Sequence, residues 1–205
     1  YLMGGVVVDV ETRTSLAGLY VAGEDAGGAH GSNRLGGNGV ANSTVYGGIA
    51  GDVMAADAQK MSALHDPDET ILDEELARAI IPFSAKPGNV HELRVRLMDA
   101  MWDDVGVMRD AAGLKLGIEK IASLKTDMEN VGVSADNLAF NLSWHDWLSL
   151  QSLIDTSEVI AKAGLSRENS RGAHFREDFP DAGSLDDSYF TIATSGDKGI
   201  EVNRE

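Results

Sequence analysis

The chain has 205 residues, enough for one good core or for one compact domain plus part of another. Its 33 acids against 17 bases give a net charge of -16, which argues against nucleic acid and anionic lipid as partners, since both are held by Lys and Arg. No apolar run approaches the roughly 18 residues of a membrane span, and the absence of cysteine excludes disulfides and thiolate metal sites; no metal site is expected.

The chain opens Tyr1-Leu2-Met3-Gly4-Gly5, with neither an initiator methionine nor a basic stretch of the signal-peptide kind, a start expected inside a longer protein. Residues 6–10 (Val-Val-Val-Asp-Val) and 19–22 (Leu-Tyr-Val-Ala) are short β-rich runs, read as two strands with a turn between them. Gly23 to Gly39 holds seven glycines in seventeen residues, too many for a helix interior or a good strand. Val40 to about Ala56 is proline-free and rich in small residues, so the order is hairpin, glycine-rich loop, helix. Residues 61–88 are acidic and proline-containing (Asp66-Pro67-Asp68-Glu69), with a short apolar helix or turn around Leu72 to Ile81; a domain boundary is expected here.

Three runs at helical spacing follow. Leu93, Leu97, Met98, Met101, Trp102, Val105 and Met108 form the first, and Gly117, Ile121, Leu124, Met128 and Val131 the second. Trp144, Trp147, Leu148, Gln151, Ile154 and Ile160 form the third, with Ser143 placed as its N-cap. Three such helices over residues 89–165 are expected to pack as an antiparallel bundle, their tryptophans 102, 144 and 147 in the core. The alternation of Tyr189, Thr191 and Ala193 and then Ile200 and Val202, around Ser195-Gly196-Asp197-Lys198-Gly199, predicts a C-terminal β-hairpin. The fold class is thus mainly α with small β elements: part of an α/β domain over 1–60, a linker over 61–88, the bundle over 89–165, and a clasp and hairpin over 166–205.

A glycine-rich loop opening a helix is suited to an anion, because free backbone N–H groups and the positive end of the helix dipole point the same way. The plain alternative is a tight strand-to-helix connection. The whole string carries more: Gly18-Leu19-Tyr20-Val21-Ala22-Gly23-Glu24, then His30-Gly31-Ser32-Asn33-Arg34-Leu35-Gly36-Gly37-Asn38-Gly39. It resembles the segment that ends the flavin domain in the succinate dehydrogenase, fumarate reductase and aspartate oxidase family, with Ser32 for the usual Ala and Gly39-Val40 for Ser-Leu. The run from Ser166 through Arg171-Gly172-Ala173-His174-Phe175-Arg176 to Pro180 resembles a second family segment, which follows the helical domain, and Val105-Gly106-Val107-Met108-Arg109 a turn between its first two helices.

The resemblance implies a C-terminal portion of an FAD-dependent flavoprotein that interconverts succinate and fumarate, or a related dicarboxylate, by hydride transfer at the flavin. Gly36-Gly37 favours succinate dehydrogenase or fumarate reductase over aspartate oxidase. By the same resemblance Glu24 binds FAD hydroxyls, Gly39 and Val40 turn backbone N–H groups to the flavin pyrimidine edge, and Arg34 clamps a substrate carboxylate with its planar fork. His30 is read as structural or flavin-adjacent rather than catalytic. Arg171, His174 and Arg176, set among acids, are read as a structural clasp. The family's substrate histidine would precede Tyr1 by one residue, and no G-x-G-x-x-G fingerprint lies in the right context, so the chain alone is expected neither to hold FAD tightly nor to turn over. The implied partner is an iron–sulfur subunit, and the implied location is the cytoplasm, at the inner face of the membrane through partner subunits. The competing reading is a stand-alone acidic helical module that docks on such a partner.

Overall fold

The computed structural model describes all residues except 64, 65, 135, 197 and 198. The chain divides into two compact units, Tyr1–Asp66 with Arg171–Ala173, and Pro67–Ser170 with His174–Glu205.

The first unit is a run of turns and loops followed by one long helix, α1 (Asn38–Lys60). The two strands expected over 6–10 and 19–22 are reduced to isolated bridges, Val6 with Ala26 and Arg13 with Tyr20. Asp9 is the reason that the first run does not extend. Its carboxylate accepts from the Glu11 and Arg13 N–H groups and turns the chain, with Thr12 at φ 67°. The C-terminal half of α1 is tied to this turn by charge: Asp57 accepts from the Tyr20 hydroxyl at 2.8 Å and from Arg13 at 2.9 Å. Those hydrogen bonds, that of Tyr20 first, hold the Asp57 carboxyl well below the usual range. The segment Arg171–Ala173 joins the unit through the Ala173 N–H, which donates to the Ser32 carbonyl at 3.0 Å.

The second unit is mainly helical. Helix α2 (Glu69–Ile80) occupies much of the expected linker, and α3 (Val90–Asp103), α4 (Ala111–Glu129) and α5 (Leu142–Ser166) follow. All four start on an Asp or Asn side chain that accepts a first-turn N–H: Asp68 from Thr70, Asn89 from Glu92, Asp110 from Gly113 and Asn141 from Trp144. The expected cap of α5, Ser143, is therefore displaced by Asn141, two residues earlier. Leu93, Leu97, Val105, Leu114, Ile121, Leu124, Leu150, Ile154 and Ala161 meet in one apolar core. The end of α3 lies at the start of α4, where a Cβ on Gly117 would come within 2.6 Å of Val105. Toward the other end of α4, the Trp147 indole donates to the Val131 carbonyl at 2.8 Å.

Trp147 is buried and Trp144 partly so, but Trp102 is 78% exposed, against the expectation that all three are core. The buried face of α3 is Leu93, Leu97 and Ala100, and Trp102 falls five residues, or roughly 140° of helix, from Leu97. Met98 and Met108 are exposed as well. The short strands β1 (Met108–Arg109) and β2 (Phe175–Arg176) pair in parallel. The C-terminal hairpin forms as expected, β3 (Thr191–Gly196) against β4 (Gly199–Arg204), with Ala193 opposite Val202. Asp197 and Lys198 of its turn lie outside the described residues. Among the described residues no helix is long and apolar enough to cross a membrane.

Candidate functional site

In the first unit, Gly37 enters α1 at φ 87°, a backbone conformation open to glycine, and no side chain caps the helix. The Asn38 N–H goes back to the Leu35 carbonyl, and the Ala41 N–H begins the helical pattern on the Gly37 carbonyl. Between them lie the N–H groups of Gly39 and Val40, in the turn where a helix has no partners of its own to offer. Tyr1, Arg34, Gly37, Gly39, Val40, Ser43 and Thr44 line an open concavity at this helix start. The structure thus brings together three of the four residues singled out from the sequence, Arg34, Gly39 and Val40.

Arg34 is held from behind. Its main-chain N–H donates to the Met3 sulfur at 3.0 Å, and its guanidinium lies over the Tyr1 ring, 4.6 Å from the centroid. The fork itself is little used: one terminal nitrogen makes a long 3.4 Å contact with the Leu35 carbonyl, and the buried Nε has no partner. A guanidinium with donors to spare beside an uncapped helix N-terminus is suited to an anionic group. Gly39 has a local reason to be glycine, because a Cβ there would come within 3.0 Å of the Tyr1 ring. Ser43 and Thr44 turn their hydroxyls back to the carbonyls of Gly39 and Val40.

Glu24, the fourth residue, is not in the lining. It sits on a single 3-10 turn, Gly23–Asp25, and its carboxylate accepts the Leu2 N–H at 2.8 Å. His30 lies behind the concavity, its Nε2 at 3.0 Å from the Tyr1 hydroxyl and 3.1 Å from the Asn42 amide nitrogen. Tyr1, Met3 and Asn42 were not singled out from the sequence. Asn42 had a weak signal, an amide beside Ser43 and Thr44 in a helix of small residues; the other two had none beyond their place before Gly4-Gly5.

The second unit holds a charged cluster around Arg176, and its geometry is that of a fastening. Arg176, 1% exposed, grips Asp178 with two nitrogens at 2.7 Å and caps the end of α5 by donating to the carbonyls of Gly164, Leu165 and Arg167. Asp178 also accepts from the Ala111 N–H at the start of α4, and the Arg176 guanidinium is the main cause that holds its carboxyl down at about 2. Arg109 donates to the carbonyls of Val105 and Gly106 and reaches His174 Nδ1 at 2.8 Å. Burial, with Arg109, Arg167 and Arg176 nearby, keeps the His174 imidazole neutral by lowering its pKa, and its other nitrogen meets the Arg167 carbonyl at 3.2 Å. These side chains are chiefly occupied with one another and with main-chain carbonyls.

Comparison with known proteins gives a match for each part of the chain. Residues 94–204 match the family described as the fumarate reductase flavoprotein C-terminal domain, and residues 1–40 match an FAD binding domain, so FAD is the cofactor implied for the glycine-rich loop. The uncapped N-terminus of α1 and the adjoining Arg34 fit an anionic cofactor such as this. One subunit of the fumarate reductase (CoM/CoB) of Methanothermobacter marburgensis is 36% identical over 88% of this chain and 32% of its own length. An L-aspartate oxidase of Yersinia pestis is 34% identical, again over 88% and 32%. The solved Mycobacterium smegmatis Sdh1 complex in the apo form superposes with a TM-score of 0.89 at 32% identity, covering 100% of this chain and 35% of that one. The chain spans about a third of the length of the curated relatives it matches. It belongs to the fumarate reductase flavoprotein C-terminal family, with part of an FAD-binding domain ahead of that match.

Proposed function

We propose that the chain supplies one wall of a dicarboxylate oxidoreductase site, in a protein that interconverts succinate and fumarate or a close relative of them. The observation that carries this reading is the pairing of an unengaged Arg34 fork with the uncapped start of α1 in one concavity. FAD, when bound, supplies the hydride acceptor and donor. Arg34 binds and orients a substrate carboxylate, since a guanidinium stays charged and matches a carboxylate with two parallel hydrogen bonds. The N–H groups of Gly39 and Val40 stabilise negative charge on the cofactor, and Glu24 accepts from cofactor hydroxyls.

In the same proposal residues 1–60 serve as the closing part of the flavin domain and 61–88 as the connection. Residues 89–165 are an antiparallel three-helix bundle, a reading supported by the end-to-start contacts of α3, α4 and α5. Residues 166–205 are the clasp and hairpin, and an iron–sulfur subunit is the partner. The test is to express the whole reading frame that encodes the chain and record its visible spectrum with and without fumarate. Flavin absorption that responds to fumarate is expected; a colourless protein overturns the reading. In that protein Arg34→Lys should cut turnover strongly with flavin content intact, because Lys keeps the charge and loses the fork. Loss of flavin instead would make Arg34 structural.

A further inference from the structure

Behind Arg34, the side chains of Tyr1, His30 and Asn42 form a small hydrogen-bonded group. The Asn42 Nδ2 lies 3.1 Å from His30 Nε2, 3.4 Å from the Tyr1 hydroxyl and 3.2 Å from the Gly23 carbonyl oxygen. The last contact fixes which way the amide points, since a flipped Asn42 would set its carbonyl oxygen against that of Gly23. An amide nitrogen only donates, so His30 Nε2 must present its lone pair, and the ring proton is on Nδ1. The tautomer protonated at Nε2 would aim a proton at another donor. The Asn42 Oδ1 is buried without a partner, a cost the fold bears while the donating end is held in place.

The same lone pair faces the Tyr1 hydroxyl at 3.0 Å and sets the edge of the Tyr1 ring against the imidazole, the two rings 5.2 Å apart at 74°. One face of that ring carries the Arg34 guanidinium, and the ring also lies against Gly39. We propose that Asn42 is a positioning residue for Arg34: by selecting the Nδ1–H form of His30 it orients the Tyr1 ring, and the ring holds the guanidinium over the concavity. The inference rests on the dicarboxylate reading above and adds what places its central side chain.

The test uses the full-length protein with Asn42→Ala, Tyr1→Phe and the double variant. Three quantities are measured: FAD per chain, the Kd for fumarate from the flavin spectrum, and the protonation of His30 from the nitrogen shifts of labelled histidine. Each single variant should weaken fumarate binding by about tenfold with FAD retained, the scale of one desolvated cation–π contact. The double variant should be no worse than about tenfold, because both changes break one chain of contacts. A product of the two single effects, or an Asn42→Ala protein that keeps FAD and binds fumarate as before, overturns the proposal. Tyr1→Phe changes no residue of α1 and carries the test by itself if Asn42→Ala does not fold, unaltered fumarate binding in it overturning the proposal. If the unchanged protein does not respond to fumarate, the dicarboxylate reading fails, and the histidine measurement still decides here. A proton on Nδ1 that loses its preference in Asn42→Ala sustains the positioning role, and a proton on Nε2 in the unchanged protein overturns it.

Discussion

Four helices of the second unit begin on an Asp or Asn side chain, whereas α1 in the first begins on a glycine with no side-chain cap. The contrast extends to the interior. The second unit closes on a continuous apolar core, and its buried arginine has a partner for every part of the guanidinium. Helix α1 buries only Asn42 and Ala50 over 23 residues, and among the described residues the buried side-chain polar atoms without a partner, Thr12 Oγ1, Arg34 Nε and Asn42 Oδ1, lie in the first unit. One unit spends its polar groups on itself. The other keeps donors uncommitted beside a concavity, which costs stability and leaves binding capacity.

The comparison breaks most directly at Arg176. Arg176→Met leaves the carbonyls of Gly164 and Leu165 without their donor and unpairs the Asp178 carboxylate, at about 1–3 kcal/mol for each group, so a loss of about 4 kcal/mol or more is expected. Leu150→Ala, at a fully buried position of α5, should cost about 3 kcal/mol through lost transfer and the cavity left behind. The counterpart in the first unit, Val40→Ala, should stay within about 0.5 kcal/mol, since Val40 is exposed. The shifts are read as urea midpoints by far-ultraviolet circular dichroism, to which both units contribute through α1 and through α2 to α5. Equal shifts for Val40→Ala and Leu150→Ala would remove the distinction between a closed unit and an open one.

The same contrast governed what could be read in the sequence. In the second unit, spacing alone located the faces of α4 and α5, because Ile121, Leu124, Met128, Trp147 and Ile154 are buried by neighbours from the same unit. It failed at Trp102 and Met98, where apolar character without the right angular position gives exposure. In the first unit hydrophobic pattern misled: Val6-Val7-Val8 reads as a strand, yet Asp9 turns the chain and a single bridge is all that forms. There the string of glycines with Arg34 among them carried the information, since a backbone conformation and a charge are local properties. The Tyr1–His30–Asn42 group was not legible, because hydrogen bonds between residues 12 to 41 positions apart leave no spacing signal.

The smallest expected effect is a pH dependence confined to the second unit. Burial holds the His174 pKa below its ordinary value, so the unfolded chain takes up the proton before the folded one does. Stability linked to His174 is therefore fully present above about pH 6.5 and is lost as pH falls through the lowered folded value. Asp178 does not interfere in that window: its folded value is about 2, and its own contribution is lost only as pH falls below the ordinary carboxylate range. The shifted groups of the first unit titrate elsewhere, Asp57 in strong acid and Arg13 and Tyr20 in strong base. Between pH 7 and 5 the urea midpoint seen by tryptophan fluorescence should drop in the unchanged protein and drop less in His174→Gln, which cannot be protonated. An equal fall in both would mean that burial does not hold His174 neutral, and that the clasp is a looser fastening than its 2.8 Å contact with Arg109 implies.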